Sequence, residues 1–448
     1  MRIADRYHAL ASTAKQCAVA LALLLPLPAT AQETGWSVSG SVRVRGEAIS
    51  GQFRPATAPD DAALLIRTVV GVEYDAGTLA AGAELIDSRS YFEAADGSVS
   101  NTEVNALEPL QLYLRLDLPN AASIKLGRQT LAPGSRRLIS RNNFRNTINA
   151  FTGVVATLPQ TPLGQAQLFW VSPVLRLPDA RADLLDNGLE LDRDDNGGRL
   201  FGGFLGRPET LGGTVELQAI RLAERDSDRT AGRDRHLWTL AVRHHRAPKA
   251  GRADWDVEGA AQWGTTSTGT AAASPRVPVR AGFLHAATGY TFDRAWQPRL
   301  ALAFDYGSGD GRGRTFGRFD TLFGSRAFDW GPTSFYGALT RSNIVSPEAR
   351  AEVTPSKRWD AMAALRPLWL ATATDSFAQT GVRDPQGDAG RWAGVQAEAR
   401  VRWWLVPDRV RIALGGALLA KGRFLEDAAN APATGDTGYG YLELTVTP

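Results

Sequence analysis

Cysteine is almost missing from this chain. Among 448 residues there is one, Cys17, together with only 2 methionines and 5 histidines. That removes disulfide scaffolds and cysteine-bound metal from consideration and leaves little for histidine-centred catalysis. No charge of one sign dominates: 50 Lys+Arg stand against 47 Asp+Glu, a net +3. Such a balance gives no footing for nucleic-acid binding, which needs a basic face. Long hydrophobic runs are absent after residue 31, where nothing approaches the roughly 18–20 apolar residues of a membrane helix. Apolar residues at helical spacing over several turns are missing too. A helical membrane protein and a helical bundle are therefore excluded.

The first 31 residues are of another kind. Arg2, Arg6 and Lys15 precede the apolar run CAVALALLLP at 17–26, and Ala29-Thr30-Ala31 follows. A basic start, a short apolar core and an A-x-A site make a secretory signal. Cys17 precedes the apolar core, so it is no lipid attachment point. Residues 1–31 are expected to be removed, leaving a thiol-free exported chain from 32 to 448 with no composition break, read as one domain.

What is present is a period of two. Residues 110–118 read LQLYLRLDL, with Leu110, Leu112, Leu114, Leu116 and Leu118 alternating with Gln111, Tyr113, Arg115 and Asp117. Successive side chains on a strand point to opposite faces, so one face is leucine and the other polar. The same alternation runs through 36–49, 62–75, 254–266, 299–307, 392–405 and 439–447, and about 18 such segments are counted along the chain. Short connections such as Asp75-Ala76-Gly77 alternate with long ones rich in Gly, Asp, Asn and Arg, such as 173–198 and 308–341. Aromatic residues gather at strand ends, among them Trp36, Tyr74, Trp170, Trp238, Trp255, Trp296, Trp359 and Trp403. An all-β, single transmembrane antiparallel β-barrel of about 18 strands accounts for these features together: apolar side chains out, polar side chains in, short periplasmic turns, long extracellular loops and aromatic girdles. Closure satisfies every backbone group in the bilayer. The five leucines are then expected to face lipid. A barrel this wide is not filled by wall side chains, so a channel is expected.

Parity places twelve basic and twelve acidic side chains inward. Most of these are expected to pair across the wall; a ring of unpaired arginines would instead select anions. Lys125, Arg128, Arg136, Arg137, Arg141 and Arg145 fall in 21 residues without an acid. Lys125, Arg128, Arg141 and Arg145, with Arg115, Arg400 and Arg402 from the inward set, are the pore-lining and anion-binding candidates. The planar arginine fork suits carboxylates and stays charged. The other reading of 125–145 is a basic outer loop that meets lipopolysaccharide phosphates. In DRDDNGG, Asp192, Asp194 and Asn196 match the first half of a calcium loop, but the twelfth place is Gly203, so this is a weak metal candidate. His244 and His245 point to opposite faces and cannot share a metal. No histidine–serine spacing suggests a hydrolase triad. No catalytic residue and no cofactor is implied.

Several stretches resemble the alginate-export family of outer-membrane proteins: NTEVNALEPLQLYL (101–114), IKLGRQTL (124–131), RNNFRNT (141–147), VSPVLRLPD (171–179), YTFDRAWQPRLALAFDYGSGD (290–310) and FDTLFGSR (319–326), with the Ser342-Asn343 pair after them. They occur in the family's order. The resemblance implies an 18-stranded channel of the bacterial outer membrane that passes an anionic polysaccharide, or small anionic solutes, passively through an arginine-rich lumen. Its implied partners are outer-membrane lipid and lipopolysaccharide, anionic glycans or small anions, and the barrel-assembly machinery. The alternatives are a lipase-like outer-membrane enzyme or a structural, adhesive barrel without transport. One departure concerns the last strand, which ends Thr445-Val446-Thr447-Pro448 rather than on an aromatic residue; Tyr441 is the nearest substitute.

Overall fold

The computed structural model describes residues 35–225, 232–271 and 274–448; the expected signal segment lies outside the described residues. The wall begins with β1 (Gly35–Ser50), β2 (Asp61–Asp75), β3 (Leu79–Tyr91), β4 (Asn105–Asp117), β5 (Ser123–Gln129) and β6 (Phe151–Thr161). It continues with β7 (Gly164–Leu175), β8 (Arg199–Thr210), β9 (Gly213–Ala223), β10 (His236–Arg246), β11 (Arg252–Ser267) and β12 (Arg276–Thr291). It ends with β13 (Arg299–Gly307), β14 (Ile344–Ser356), β15 (Trp359–Trp369), β16 (Trp392–Val406), β17 (Val410–Lys421) and β18 (Thr437–Val446). Each strand pairs antiparallel with the next, and β18 returns to β1 from Val42↔Val446 to Ser50↔Gly438, which closes the barrel. A two-residue strand, Arg193–Asp194, pairs with the outer end of β7 and is not part of the wall. No helix among the described residues is long and apolar enough to cross a membrane.

Alternation decides the two faces. Leu112, Leu114, Leu116 and Leu118 are exposed on the outside, as are Val70, Val72, Leu300 and Leu302. Leu110 departs from the expectation. The register steps from Glu84↔Gln111 to Leu85↔Pro109, so Leu110 is the extra residue of a bulge. It turns inward, 3% exposed against 63% for Leu112, and packs with Val69, Ile86 and Ile148.

Inward positions change character along the strands. Near the short turns they are charged, such as Glu73, Arg115, Asp117, Arg402 and Glu443. Towards the long loops they are apolar: Leu65, Phe151, Phe169, Leu237, Phe283 and Leu419 are buried. Apolar seats on the inner wall draw the loops in rather than leaving them in water. Residues 130–150 and 308–343 pack through Leu138, Ile139 and Phe319 onto Phe151, Phe169, Leu237 and Phe283. Phe53, Trp330, Phe335, Phe377 and Phe424 form a second cluster against Leu65, Leu368 and Leu419. Each such ring or leucine contributes about 1.5–3 kcal/mol when fully buried.

Candidate functional site: a divided, arginine-lined lumen

β5 is only 7 residues long, and the chain leaves the wall at Gln129 and rejoins it at Phe151. The intervening segment crosses the lumen. Arg137 anchors its first half: Nη1 donates to Glu258 (2.8 Å), Nη2 to Asp256 (3.0 Å), and Nε to Asp329 of the 308–343 loop (2.9 Å). Arg341 donates to the same Asp329 and to the Ser325 carbonyl at 2.8 Å. Backbone bonds join the two loops, Ser140 N–H to Phe323 O and Phe323 N–H to Leu138 O.

The second half is held by arginines of the wall. Arg43 donates to the carbonyls of Asn143 (2.9 Å), Phe144 (3.1 Å) and Arg145 (2.8 Å). Arg45 donates to Phe144 O at 2.7 Å, and Arg67 to Asn143 O and Arg145 O at 3.0 Å each. Asn146 is buried and its amide donates to the carbonyls of Ile66, Arg89 and Glu103. Charge-assisted bonds of this kind contribute about 1.5–3 kcal/mol apiece. The segment is a fixed septum.

Residues 141–150 face two chambers. The outer one, of about 580 Å³, is lined by Asn142, Arg145 and Asn149 together with Arg176 and Arg326. The inner one, of about 470 Å³, is lined by Arg141, Asn143, Phe144 and Ile148 from the septum. Its wall adds Arg43, Arg67, Arg400, Arg402 and Arg411, so six arginines meet only two carboxylates, Glu84 and Glu443. In the outer chamber burial, with Arg176 and Arg326 nearby, holds the Arg145 pKa well below the usual arginine value. Arg326 is pushed down to about 10 by burial, with Arg54 and Arg341 adding to the effect. The outer chamber is also lined by Arg193 and Arg235 and by Asp179, Asp195 and Glu224, so the larger excess of arginine over carboxylate is in the inner one.

The structure separates the sequence candidates. Arg141 lies on the inner side of the septum, 2.7 Å from Glu84, and Arg145 on the outer side, donating to Asn149. Arg400 and Arg402 line the inner chamber; Arg402 pairs with Asp360 at 2.8 Å, whereas Arg400 is in no ion pair among the described residues. Lys125 points inward but its ammonium lies 3.7 Å from the centroid of the Tyr113 ring. Arg115 also points inward and is neutralised by Glu73, Asp75 and Asp117 at 2.9–3.1 Å. Arg128 does not join them. It stands on the register of exposed Leu112 and of Thr152, bonded to Glu108 and 3.7 Å from Asp194, at the outer rim of the wall. The calcium-loop residues do not converge. Asp192 accepts from the Leu177 N–H and the Asn105 amide, and Asp194 from the Thr152 hydroxyl; no metal-binding group of His, Cys, Asp and Glu occurs among the described residues. His244 stacks against Trp255 while His245 approaches Glu216, on opposite faces. Tyr441 faces inward against Phe144, so its ring is not on the membrane side.

Arg176 and Arg326 escaped the sequence reading. No local pattern marks them as lumen residues, although each lies within a stretch that resembles the family, VSPVLRLPD and FDTLFGSR. Arg43 and Arg67 were expected inward, but their role as clamps on septum carbonyls needs the folded loop.

No curated protein matches the sequence. Among solved structures, OccAB1 of Acinetobacter baumannii has a TM-score of 0.60 at 11% identity, over 93% of this chain and 98% of that one. The outer membrane protein OpdK of Pseudomonas aeruginosa has a TM-score of 0.58 at 11% identity, over 92% and 99%. OccK11 (OpdR) of the same organism has 0.55 at 14% identity, over 94% and 99%. At these identities the likeness concerns the fold, a closed barrel of the outer membrane. The family model for alginate export matches residues 36–437, from the first strand of the wall to the last. An outer-membrane channel architecture, a lumen rich in arginine and that match give one result: the chain belongs to the alginate export family.

Proposed function

We propose that this channel passes anions, either an anionic polysaccharide or small carboxylate-bearing solutes, by diffusion past the septum. The inner chamber carries the reading: six arginines against two carboxylates, with Arg400 free of any ion pair among the described residues. A narrow passage with low-dielectric walls and one sign of charge concentrates counter-ions and repels co-ions. Guanidinium forks bind carboxylates in two-point fashion, and several forks in series let a multiply charged chain exchange one partner for the next. Reversal potential in planar bilayers across a salt gradient measures the preference. Wild type is expected to favour anions, less so as the Debye length shrinks from about 10 Å at 0.1 M to about 3 Å at 1 M salt. Replacing Arg141, Arg400 and Arg402 together by glutamine lowers the preference while the barrel still assembles. Oligouronates are expected to block the wild-type current more than neutral glycans of equal length. A cation-preferring wild type, or an unchanged reversal potential in the triple variant, overturns the reading.

A further inference from the structure

On the membrane side of the wall, six consecutive strands carry one row of side chains. Trp170 of β7 stands opposite Phe201 of β8, and Phe201 opposite Arg221 of β9. Arg221 stands opposite Trp238 of β10, Trp238 opposite Trp263 of β11, and Trp263 opposite Arg280 of β12. The neighbours Leu200, Ile220, Leu222, Leu237 and Val279 are buried on the inner side, so the row faces outward. Arg199, two residues beyond Phe201 towards the long loops, is exposed on the same face.

The height of the row follows from β11. Trp263 and Trp255 are both on its outward face, eight residues apart. At about 3.3 Å per residue and a tilt of roughly 40°, that is about 20 Å along the membrane normal, close to the apolar band of such barrels. Trp255 lies near the short turns, so Trp263 marks the outer girdle, at the level of lipid headgroups. Opposed residues run perpendicular to the tilted strands, so the row is oblique and climbs about 3 Å per strand: Trp170 is 6 residues from the short-turn end of β7 and lies deepest, whereas Arg280 is 11 from that of β12 and lies outermost.

Arginine on a lipid-facing wall is costly unless it meets something polar there. Lumen arginines such as Arg115, Arg137 and Arg402 meet carboxylates. Arg199, Arg221 and Arg280 do not: they are in no ion pair among the described residues. Arg199 donates to the Ser172 hydroxyl (2.6 Å) and to the carbonyls of Gly198 (2.8 Å), Asp195 (3.3 Å) and Asn196 (3.4 Å). Among the described residues Arg221 reaches only His236 Nδ1 at 3.5 Å and the Trp238 ring at 5.5 Å. Arg221 and Arg280 are three strands apart, about 14 Å at the usual strand spacing. A single phosphate does not bridge that distance, whereas a headgroup phosphorylated at both ends of a disaccharide does.

We propose that Arg199, Arg221 and Arg280 dock the phosphorylated sugar headgroup of an outer-leaflet glycolipid, with the rings of Trp170, Phe201, Trp238 and Trp263 covering the first segments of its acyl chains. The membrane face is then a lipid-recognition surface on one sector of the barrel, separate from the anion path inside. Native mass spectrometry of the purified barrel tests it, with diphosphoryl lipid A, dephosphorylated lipid A, phosphatidylethanolamine and inorganic phosphate as probes. Diphosphoryl lipid A is expected to bind most tightly. Each arginine near an anionic lipid surface gives about a fivefold effect, so Arg199→Gln, Arg221→Gln and Arg280→Gln together weaken binding on the order of a hundredfold. Removing the phosphates has a similar effect. Equal binding by wild type and triple variant, or equal binding of dephosphorylated lipid A, overturns the proposal. Full displacement of the lipid by inorganic phosphate overturns it too, since it would show a plain anion site. If the triple variant loses its heat-modifiable mobility, Arg280 decides alone, because its side chain has no partner among the described residues. Arg280→Gln then weakens binding about fivefold and Arg280→Glu more so; no change in either is a refutation.

Discussion

Arg137→Gln should unseat the septum without unfolding the barrel. Arg137 is 2% exposed, and its guanidinium joins Glu258, Asp256 and Asp329, of which Glu258 is 1% and Asp329 7% exposed. Glutamine removes the charge from all three. Glu258 would keep the Ser135 hydroxyl at 3.0 Å and Arg243 at 4.0 Å, while Asp329 keeps Arg341. Breaking a buried pair costs about 3–5 kcal/mol, and these remaining partners put the cost near 3 kcal/mol, the lower end. That is on the order of a hundredfold more of the unseated loop. The backbone ladder of the wall is untouched, so the cost is local. Single-channel recording should show a larger, noisier conductance, and limited proteolysis should cut between 130 and 150. Heat-modifiable mobility should be unchanged. Arg137→Lys, which keeps the charge but cannot fork to three carboxylates, should fall between. Unchanged conductance and noise with a still-protected loop would refute the assignment of Arg137 as the septum anchor.

Three further outcomes are expected. Single cysteines introduced at 112 and 114 and labelled with a fluorophore should be quenched by spin-labelled lipid tails, and one at 110 should not; equal quenching at all three would remove the bulge, and Leu114→Arg should cost about 2–4 kcal/mol if 114 is near the bilayer midplane. Arg128→Gln should leave the reversal potential unchanged, because Arg128 stands at the outer rim; a shift as large as that of the inner-chamber triple variant would place it in the ion path. Gly264→Val should block assembly, since Gly264 has φ +142° and a Cβ there would lie 1.9 Å from the His236 carbonyl oxygen; normal yields of heat-modifiable barrel would contradict the backbone path of β11.

The wall was legible because its information is local. A period of two requires only the next residue, so strand positions, the lipid face of Leu112 to Leu118 and the outer-membrane class could be read along the chain. Short turns and long loops also show themselves by length and composition. The exception inside a strand, Leu110, came from one extra residue in the pairing with β3, and a bulge carries no signal in a single strand. What lay beyond local reading was everything that depends on two distant segments meeting. The basic run 125–145 divides into one residue over a tyrosine ring, one at the outer rim, one over the Phe328 ring, one on each side of a septum and one that pins that septum. Equal numbers of inward acids and bases said that most charges would pair, but pairing is set by register across strands and by loops folded into the barrel. Arg115 is neutralised by three carboxylates from 42 residues away to two residues away, while Arg400 has none among the described residues. The physical reason is range. Side-chain direction follows from the neighbouring backbone, whereas the field in the lumen is a sum over residues brought together only when the sheet closes and its apolar inner seats draw the loops inside.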